Sequence, residues 1–563
     1  MKSLTRSSPR MLAAAAISIA TLLPATARPA SPPSAPIAPR VQLPHGDIEG
    51  LHMRESGADL RVFRGIPYAA PPTGHYRWRE PQPVARWAGV RRATQFAPRC
   101  MQHSPDTTVL RSAAMSEDCL YLNVWTPARN AQEKLPVLVY FHGGGFQAGD
   151  ASKARYDGAN FASRGIVTVT VNYRLGVFGF LAHPDAARES PSGSAGNYGL
   201  LDQHAALRWV RENIERFGGD PSKVTIGGMS AGAISVSAHM ASPLSKGLFA
   251  RAMGESGAAF RPLKFWSRGE ADTAATLFAE HMNAATLDAL RAMPAQTLLD
   301  EAGPRFRFWP HIDGYFLSAT PESVFRSGAQ AKVPLLVGMN SHEGPMELVL
   351  NGSEATPENW RDALASLFGE RANEALEHYP GNDADQVARS GLALATDLFV
   401  GHSVRRWMNL HRMTSGTPLY FYRYTHPHPA PLPGSTEQAG AQPRAAGAVH
   451  GVEVEYVLGN LDRETRYAWT QDDRKVAQTF SGYIERFVKT GDPNRLNEGD
   501  ATHSIPGNDA SARIALPHWP AVRSGANAIA QQSIGVHTST EWVDDAARHA
   551  FMQSFFEARL KDE

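Results

Sequence analysis

The sequence predicts an α/β protein with a central, mostly parallel sheet flanked by helices. Short apolar runs typical of buried strands recur along the chain and alternate with helical stretches, which is the pattern of a parallel α/β sheet. Of the 563 residues, 42% are hydrophobic and 20% are charged, as in ordinary globular proteins. No repeats, heptads or long linkers divide the chain. We therefore expect one enzyme-sized body with a large buried core.

The predicted strands share runs of aliphatic, β-branched or aromatic residues, and they are Leu135–Phe141, Ile166–Tyr173, Val224–Ile226, Val333–Val337 and Leu419–Tyr424. Apolar residues recur at helical spacing over Asp202–Phe217. Residues 267–300 and 354–413 are also helical in pattern, and we interpret them as inserted helical cap elements. His426–Gly447 is rich in Pro, Gly and Ala and predicts a long loop, while Asp544–Leu560 predicts a terminal amphipathic helix.

The N-terminus has the pattern of a secretion signal. Three basic residues precede the Ala-rich apolar stretch Met11–Leu23, and Ala25–Ala27 is a small-residue cleavage site. We expect a signal peptide over residues 1–27, cleaved after Ala27, a disordered lead-in over 28–39 and a single domain over 40–563. The predicted location of the mature protein is therefore secreted or periplasmic.

Composition excludes several other classes of protein. The 56 Lys and Arg residues nearly cancel the 55 Asp and Glu residues, so the net charge of +1 offers no basic field for nucleic acid or anionic lipid. No run of 18 apolar residues occurs, so we expect no membrane span. The two cysteines, Cys100 and Cys119, are too few for a thiolate metal site. In an exported protein they could form a disulfide, and two unrelated buried thiols are the alternative.

The segment Gly228-Met229-Ser230-Ala231-Gly232 has the pattern of a nucleophile elbow. The strand-like residues Lys223–Ile226 precede it, and a helical stretch of small residues follows. This turn is so sharp that the residues two before and two after the serine must lack bulk, which the glycines satisfy. A chance match is possible in a chain with 48 glycines, but the strand before and the helix after favour Ser230 as a nucleophile.

A glycine run, His142-Gly143-Gly144-Gly145-Phe146, directly follows the predicted strand Leu135–Phe141. Such a run exposes backbone N–H groups that can bind an oxyanion, together with the N–H of Ala231. A flexible turn is the alternative, but the pairing with the downstream serine motif favours the oxyanion hole.

An acid and a base are expected downstream, because α/β-hydrolases carry Ser, Asp or Glu, and His in this order. Glu343 lies in the loop after the predicted strand Val333–Val337. Several histidines follow it, so position alone does not select the base. His450 stands out because it ends the long loop and is followed by Gly451 and an apolar segment, and His426 and His428 are its rivals. The resemblance described below selects His450 through its HG-x-E segment.

Many blocks of the sequence together resemble the type-B carboxylesterases, which include cholinesterases and bacterial para-nitrobenzyl esterases. The blocks are FRGIPYAAPPTG at 63–74, SEDCLYLNVWTP at 116–127, NYRLGVFGFL at 172–181, GNYGLLDQ and FGGDPSKVTI before the serine motif, PHIDG at 310–314 and LPHWP at 516–520. The resemblance covers most of the predicted mature chain.

The resemblance implies an α/β-hydrolase fold and hydrolysis of small-molecule carboxylic esters without a metal or organic cofactor. It assigns nucleophile, acid and base to Ser230, Glu343 and His450. It further assigns supporting roles, namely oxyanion donors at Gly144, Gly145 and Ala231, a disulfide between Cys100 and Cys119, a buried salt bridge between Arg77 and Glu117, and a serine behind the triad at Ser256.

The chain also departs from the family pattern. Met229 stands where a glutamate usually precedes the nucleophile, and the loop between the cysteines holds no Trp, Tyr or Phe that could stack on choline. We therefore expect general esterase rather than cholinesterase activity. In the family, the segment before PHIDG forms the acyl-pocket wall, and here it contains Arg305, Phe306 and Arg307. Phe306 would limit acyl size.

The two arginines have two interpretations at this stage. Both could point to solvent or pair structurally, or one could face the site and favour neutral or carboxylate-bearing esters over cationic ones. Two alternatives to ester hydrolysis also stay open, a non-catalytic binding or adhesion protein of the same fold and a hydrolase of amides or thioesters.

Overall fold

The loops that contain the candidate site residues extend from one large, mostly parallel sheet. The computed structural model describes residues 38–103, 110–433, 447–496, 515–525 and 528–559. The predicted signal peptide and all but the last two residues of the predicted lead-in lie outside the described residues, as does most of the long loop predicted over His426–Gly447.

The strands of the described residues are, in chain order, β1 (Arg40–Leu43), β2 (Gly46–Glu49), β3 (Leu51–Glu55), β4 (Ala58–Pro67), β5 (Val90–Arg92), β6 (Arg99–Cys100), β7 (Met115–Ser116), β8 (Tyr121–Thr126), β9 (Leu135–Phe141), β10 (Val167–Val171), β11 (Gly219–Gly228), β12 (Arg251–Glu255), β13 (Leu335–Asn340), β14 (Leu419–Tyr424), β15 (Ile529–Ile534) and β16 (Ser539–Val543). Within this part of the chain, eleven strands form the central sheet in the order β16-β15-β14-β13-β12-β11-β9-β10-β8-β4-β3. Neighbours from β10 to β15 pair in parallel, and the outer strands pair antiparallel.

The α-helices of the described residues are α1 (Ala159–Ser163), α2 (Gly176–Phe180), α3 (Pro184–Glu189), α4 (Tyr198–Asn213), α5 (Ala231–Ala241), α6 (Arg268–His281), α7 (Leu287–Ala292), α8 (Ala295–Ala302), α9 (Pro321–Arg326), α10 (Glu347–Leu350), α11 (Pro357–Phe368), α12 (Ala372–His378), α13 (Ala384–Thr396), α14 (His402–Thr414), α15 (Val454–Val457), α16 (Gln471–Thr490) and α17 (Ala546–Ala558). A π-helical turn, Asp397–Gly401, joins α13 to α14. No helix among these residues is long and apolar enough to cross a membrane.

Both faces of the central sheet are buried, which explains why its strands read as continuous apolar runs. Along β9, Val137, Val139 and Phe141 belong to one hydrophobic core, while Leu138 and Tyr140 belong to a second core. The alternation follows from the two-residue period of a strand. The architecture is a mostly parallel central sheet covered by helices, as the sequence predicted.

The predicted elements are present with shifted ends. The helix expected over Asp202–Phe217 is α4, which begins four residues earlier at Tyr198 and is followed by a 3-10 turn over Ile214–Phe217. Gly218, with φ of 81°, ends this turn in the left-handed region. The predicted strand Val224–Ile226 extends back to Gly219 as β11.

The register of the sheet aligns the strand ends that lead into the candidate loops. Gly228 at the end of β11 pairs with Phe141 at the end of β9. One strand further, Glu255 of β12 pairs with Gly338 of β13 and forms a bridge with Met229. Because these strands are parallel, the glycine run, the serine turn and the Glu343 loop all leave the sheet at the same edge.

Candidate active site

Ser230 occupies a strained turn between β11 and α5. Its φ of 56° and ψ of −120° lie outside the regions that a serine ordinarily adopts. A Cβ atom on Gly228 would lie 2.6 Å from the carbonyl oxygen of Phe141, and one on Gly232 only 2.1 Å from the same oxygen. The two glycines therefore allow the turn to lie against β9, which explains the sequence requirement for residues without bulk.

His450 links Ser230 to Glu343. Its Nε2 lies 2.9 Å from the Ser230 Oγ, and its Nδ1 lies 2.6 Å from a carboxylate oxygen of Glu343. The glutamate side chain is fully buried, whereas the histidine side chain is 24% exposed. Three groups more than 100 residues apart in sequence are thus joined in one hydrogen-bonded line.

The Glu343 carboxylate is held in place by the loop that carries it. Its second oxygen accepts a hydrogen bond from the backbone N–H of Asn340 at 2.6 Å, and its own N–H donates to the Thr396 hydroxyl at 3.2 Å. The Asn340 side chain also donates to the carbonyl oxygen of Val449, the residue before His450. A buried carboxylate needs such partners, and here they fix its position relative to the histidine.

The environment of His450 favours its protonated form. Burial by itself lowers the pKa of this imidazole, but the charge and hydrogen bond of Glu343, together with the charge of Glu453, more than offset that effect, so the pKa is raised above its ordinary value. A ring edge of Phe399, from the π-helical turn, packs against the imidazole at a centroid distance of 5.0 Å. The pKa of His450 is therefore raised by buried carboxylates, chiefly Glu343 and to a lesser extent Glu453.

The rival histidines contact other groups. His426 Nε2 lies 2.7 Å from Asp473, and His428 Nε2 lies 3.7 Å from Glu455. His142, at the start of the glycine run, is stacked on Tyr173, and burial lowers its pKa to about 4, so its imidazole is neutral near pH 7. Of the three base candidates from the sequence, the structure brings His450 to Ser230.

The glycine run lies against the serine turn. A Cβ on Gly143 would come within 3.2 Å of the Ser230 Cβ. Gly144 and Gly145 have φ of 119° and 62°, and both are exposed. Ala231 is the first residue of α5, so its N–H has no partner within the helix. The glycine run thus approaches the nucleophile turn through Gly143, Ala231 directly follows Ser230, and a positive φ explains the glycines at 144 and 145.

Comparison with known proteins identifies the family of this chain. A model of the carboxylesterase family matches residues 37–549. The chain belongs to the carboxylesterase family. It is 38% identical over 445 residues to a fumonisin B1 esterase of Sphingopyxis macrogoltabida, an alignment that covers 74% of each chain.

Two further relatives cover more of the sequence. A para-nitrobenzyl esterase of Bacillus subtilis (strain 168) is 34% identical over 467 residues, which is 80% of this chain and 89% of the relative. A medium-chain fatty acyl-CoA hydrolase precursor of Anas platyrhynchos is 34% identical over 519 residues, or 86% of each. The protein is therefore a carboxylic ester hydrolase with the α/β-hydrolase fold.

Behind Glu343 and His450, this carboxylesterase contains a buried carboxylate that the sequence analysis did not assign. Glu453 accepts hydrogen bonds from the side chains of Asn340 at 2.5 Å and Ser256 at 3.2 Å. Burial, followed by the charge of Glu343, raises the pKa of Glu453. Ser256, to which the resemblance gave a supporting role, thus contacts the carboxylate that also binds the Asn340 side chain. The HG-x-E segment that favoured His450 ends at Glu453. That segment is the sequence signal from which Glu453 could have been assigned.

Met229 occupies an apolar position in this carboxylesterase. It is 7% exposed and belongs to the second core together with Tyr140. An added methyl group on Gly143 or Gly451 would approach the Met229 Cε to 3.0 Å and 3.2 Å, respectively. The thioether thus packs between Gly143 of the glycine run and Gly451, the residue after His450. As an uncharged side chain, Met229 adds no charge to the site.

The three residues of the segment predicted to form an acyl-pocket wall contact different neighbours. Phe306 packs on the rings of Phe278 and His281. The Arg305 Nη1 lies 3.3 Å from the Nδ1 of His281, and Arg305 is exposed. Arg307, also exposed, lies with its guanidinium carbon 4.1 Å from the centre of the Trp309 ring.

The predicted structural pairs are also formed. Cys100 and Cys119 are joined by a disulfide bond. The Arg77 guanidinium donates to both carboxylate oxygens of Glu117 at 2.6 Å and 2.7 Å, in a buried bidentate pair. Among the described residues, no group of three or more His, Cys, Asp or Glu side chains is arranged to hold a metal ion.

Proposed function

We propose that this chain is a serine carboxylesterase in which Ser230 is the nucleophile, His450 the general base and Glu343 the orienting acid. The observation that carries this proposal is the continuous line of contacts from Glu343 through His450 to Ser230, at 2.6 Å and 2.9 Å. No other arrangement around Ser230 in the described residues supplies a base within hydrogen-bond reach of its hydroxyl.

The acylation step begins with neutral His450. Its Nε2 accepts the Ser230 proton as the serine Oγ attacks the ester carbonyl. The Nδ1–H of the same ring donates to Glu343, which selects this tautomer and stabilises the imidazolium that forms. Backbone N–H groups of Gly144, Gly145 and Ala231 bind the oxyanion of the tetrahedral intermediate.

The intermediate then collapses to an acyl-enzyme. His450 returns the proton to the leaving alcohol, the carbon–oxygen bond to the alcohol breaks, and the acyl group stays on the Ser230 Oγ. Water enters, gives its proton to His450 and attacks the acyl carbonyl through the same oxyanion geometry. Release of the carboxylic acid restores the Ser230 hydroxyl. Every proton transfer in this cycle uses His450.

The test uses a short-chain 4-nitrophenyl ester and an organophosphonate probe. The wild-type protein should show a burst of nitrophenol equal to the enzyme concentration, and mass spectrometry should locate the phosphonate on Ser230. Ser230→Ala should fold normally and lose both. Turnover retained in this variant would assign the nucleophile elsewhere, and an inert wild-type protein would favour a binding or adhesion role.

The bond that is cleaved is also part of the proposal. The relatives are named for different substrates, and one of these names, a fatty acyl-CoA hydrolase, designates a thioesterase activity. We expect carboxylic esters to be preferred, and a matched set of ester, thioester and amide of one acyl group measures that preference through kcat/KM. A thioester or amide preferred over the ester would contradict it.

We also propose that the protein is exported. The basic, apolar and small-residue segments of residues 1–27 support a signal peptide, and a disulfide between Cys100 and Cys119 suits an oxidising compartment. The mature protein purified from its native host should begin at Arg28 and contain almost no titratable thiol under denaturing, non-reducing conditions. A protein that retains Met1 inside the cell would contradict export.

A further inference from the structure

The peptide groups on both sides of His450 are bound by side chains from other parts of the chain. On one side, the Asn340 amide donates to the carbonyl oxygen of Val449 at 2.7 Å. On the other side, the Arg155 Nη2 donates to the carbonyl oxygen of Gly451, whose φ of 78° lies in the left-handed region. We define the His450 turn as Val449–Gly451. Because side chains hold both of its ends, the backbone that carries the imidazole has a fixed position.

Arg155 reaches this turn from a segment that is itself attached nearby. It lies in a 3-10 turn over Ala154–Tyr156, between β9 and α1. The side-chain amide of Asn460 donates to the carbonyl oxygens of Arg155 and Asp157 at 2.9 Å and 2.8 Å. The backbone of Arg155 is therefore bound to the stretch of chain that follows the His450 turn, which limits the movement of its guanidinium.

The guanidinium of Arg155 is also one half of a buried ion pair. The same Nη2 lies 2.7 Å from a carboxylate oxygen of Glu455, and His428 lies 3.7 Å from that carboxylate. Glu453 and the phenol of Tyr156 are the other titratable groups that act on Arg155. Burial alone would lower the pKa of Arg155, but the charge of Glu455 raises it, so the guanidinium carries its charge near neutral pH.

This cation lies among the charges that act on His450. Burial lowers the pKa of the imidazole, the charges of Glu343 and Glu453 raise it, and the charge of Arg155 lowers it. The buried carboxyl of Glu255 also lies within range of the Arg155 charge. Arg155 thus opposes the carboxylates that favour the imidazolium, while its hydrogen bond holds the backbone of the same histidine.

We infer that Arg155 is a positioning residue that orients the general base through the Gly451 carbonyl and limits how far the buried carboxylates stabilise the imidazolium. It acts through His450 and is not itself a catalytic residue. Its charge keeps a larger fraction of the histidine neutral, which is the form that accepts the Ser230 proton. This inference rests on the proposed function of His450 as the base.

The test is the pH profile of kcat/KM and of kcat for a short-chain 4-nitrophenyl ester. Arg155→Met removes both the charge and the donor and retains much of the side-chain volume. Its acidic limb should move to higher pH by about 0.3–1 unit, as Coulomb's law gives for a partly screened charge several ångströms away. Its kcat on the plateau should fall about 10- to 100-fold, because the base is less well oriented. Arg155→Lys keeps the charge, so its limb should stay near that of the wild type.

The direction of the shift separates this role from a general loosening of the site. Loss of the Arg155 cation raises the pKa of His450, whereas a looser contact between His450 and Glu343 lowers it. An acidic limb of Arg155→Met that stays in place or moves to lower pH would therefore overturn the inference. A plateau kcat equal to that of the wild type would also overturn it.

Arg111→Met is the matched control. Arg111 is 28% exposed, close to the 20% of Arg155, and each pairs with a buried carboxylate. The described partners of Arg111 lie in the segment 152–157 and at the Phe96 ring rather than in the His450 turn. This variant should leave the acidic limb where it is in the wild type. An equal shift in Arg111→Met would contradict a specific role for Arg155.

A second pair of variants removes the buried charge from the comparison, because Arg155→Met leaves Glu455 without its cation and can destabilise the fold. Glu455→Gln and the double variant Arg155→Met/Glu455→Gln both lack the carboxylate, and they differ in the donor to Gly451. The double variant should have a plateau kcat about tenfold or more below that of Glu455→Gln. Equal values of kcat would show that the contact with Gly451 does not orient the base.

The outcomes also distinguish this inference from the proposed function. If His450→Ala retains turnover, the assignment of the base fails and the role of Arg155 fails with it. If His450→Ala is inactive while the Arg155 variants have the pH profile and kcat of the wild type, the inference alone fails and the proposed function stands.

Discussion

The two segments that flank Ser230 contribute different chemical groups. On the base side, which we define as Asn340–Glu343 and Ala448–Glu453, buried side chains form a continuous set of hydrogen bonds around His450. On the other side, the glycine run His142–Phe146 approaches the serine turn through Gly143, and the Phe146 ring packs on Trp309. The proton-transfer chemistry thus occupies the side with fixed polar partners. The side formed by the glycine run contains few fixed polar partners.

This contrast follows from the cost of burying charge. Glu343 and Glu453 are both buried, and each is stable there only with hydrogen-bond donors from neighbouring loops. A change on the base side therefore disturbs several groups at once.

The largest expected effect is the loss of the base itself. His450→Ala should lower kcat/KM by roughly 10⁴-fold or more, because no second described group reaches the Ser230 hydroxyl. His426→Ala and His428→Ala are the controls, and they should affect stability more than turnover because they contact Asp473 and Glu455. An inactive His428→Ala beside an active His450→Ala would reverse the assignment.

The next effect concerns the acid and the pH profile. His450 must be neutral to act, and its raised pKa places the acidic limb of kcat/KM above the ordinary histidine value. Activity should therefore fall as pH decreases through that pKa. Glu343→Gln removes the charge that raises it, so the limb should shift to lower pH while kcat falls by about 10³- to 10⁴-fold. A limb that stays in place would show that another group titrates.

The glycine run His142–Phe146 offers a test on the other side of Ser230. Gly144→Ala should reduce kcat by about 10²- to 10³-fold, because the new Cβ would lie 2.0 Å from the carbonyl oxygen of Ala148 and displace the loop. Gly165→Ala is the control, since Gly165 has a similar positive φ of 86° but no atom within 4 Å of an added Cβ. Equal loss of activity in both variants would indicate a general effect on stability instead.

The smallest expected effect separates the contribution of charge from that of hydrogen-bonding shape at Glu453. Because the pKa of Glu453 is raised, Glu453→Gln should lower kcat/KM by less than about tenfold, while Glu453→Ala leaves Asn340 and Ser256 without their shared acceptor and should cost about 1–3 kcal/mol. Steady-state kinetics with thermal unfolding of each variant measures both. If the glutamine variant is as impaired as the alanine variant, the negative charge itself is required.

The sequence by itself determined the fold class and the candidate residues for the chemistry, such as Ser230 and the glycine run. Strand periodicity, the glycines around Ser230 and the glycine run after β9 are local requirements of backbone geometry, so they are readable from adjacent residues. Helix ends were less accurate, as at Tyr198, because packing against the sheet rather than local propensity sets where α4 begins.

Only the tertiary structure decided which groups act together. His450, His426 and His428 lie on the same stretch of chain, and their different partners follow from the loops that fold against them. The same holds for Arg305 and Arg307, two residues apart, of which one contacts His281 and the other Trp309. Side-chain direction and long-range contacts set these roles, because a difference of two residues in sequence leaves both positions chemically alike until neighbouring elements pack around them.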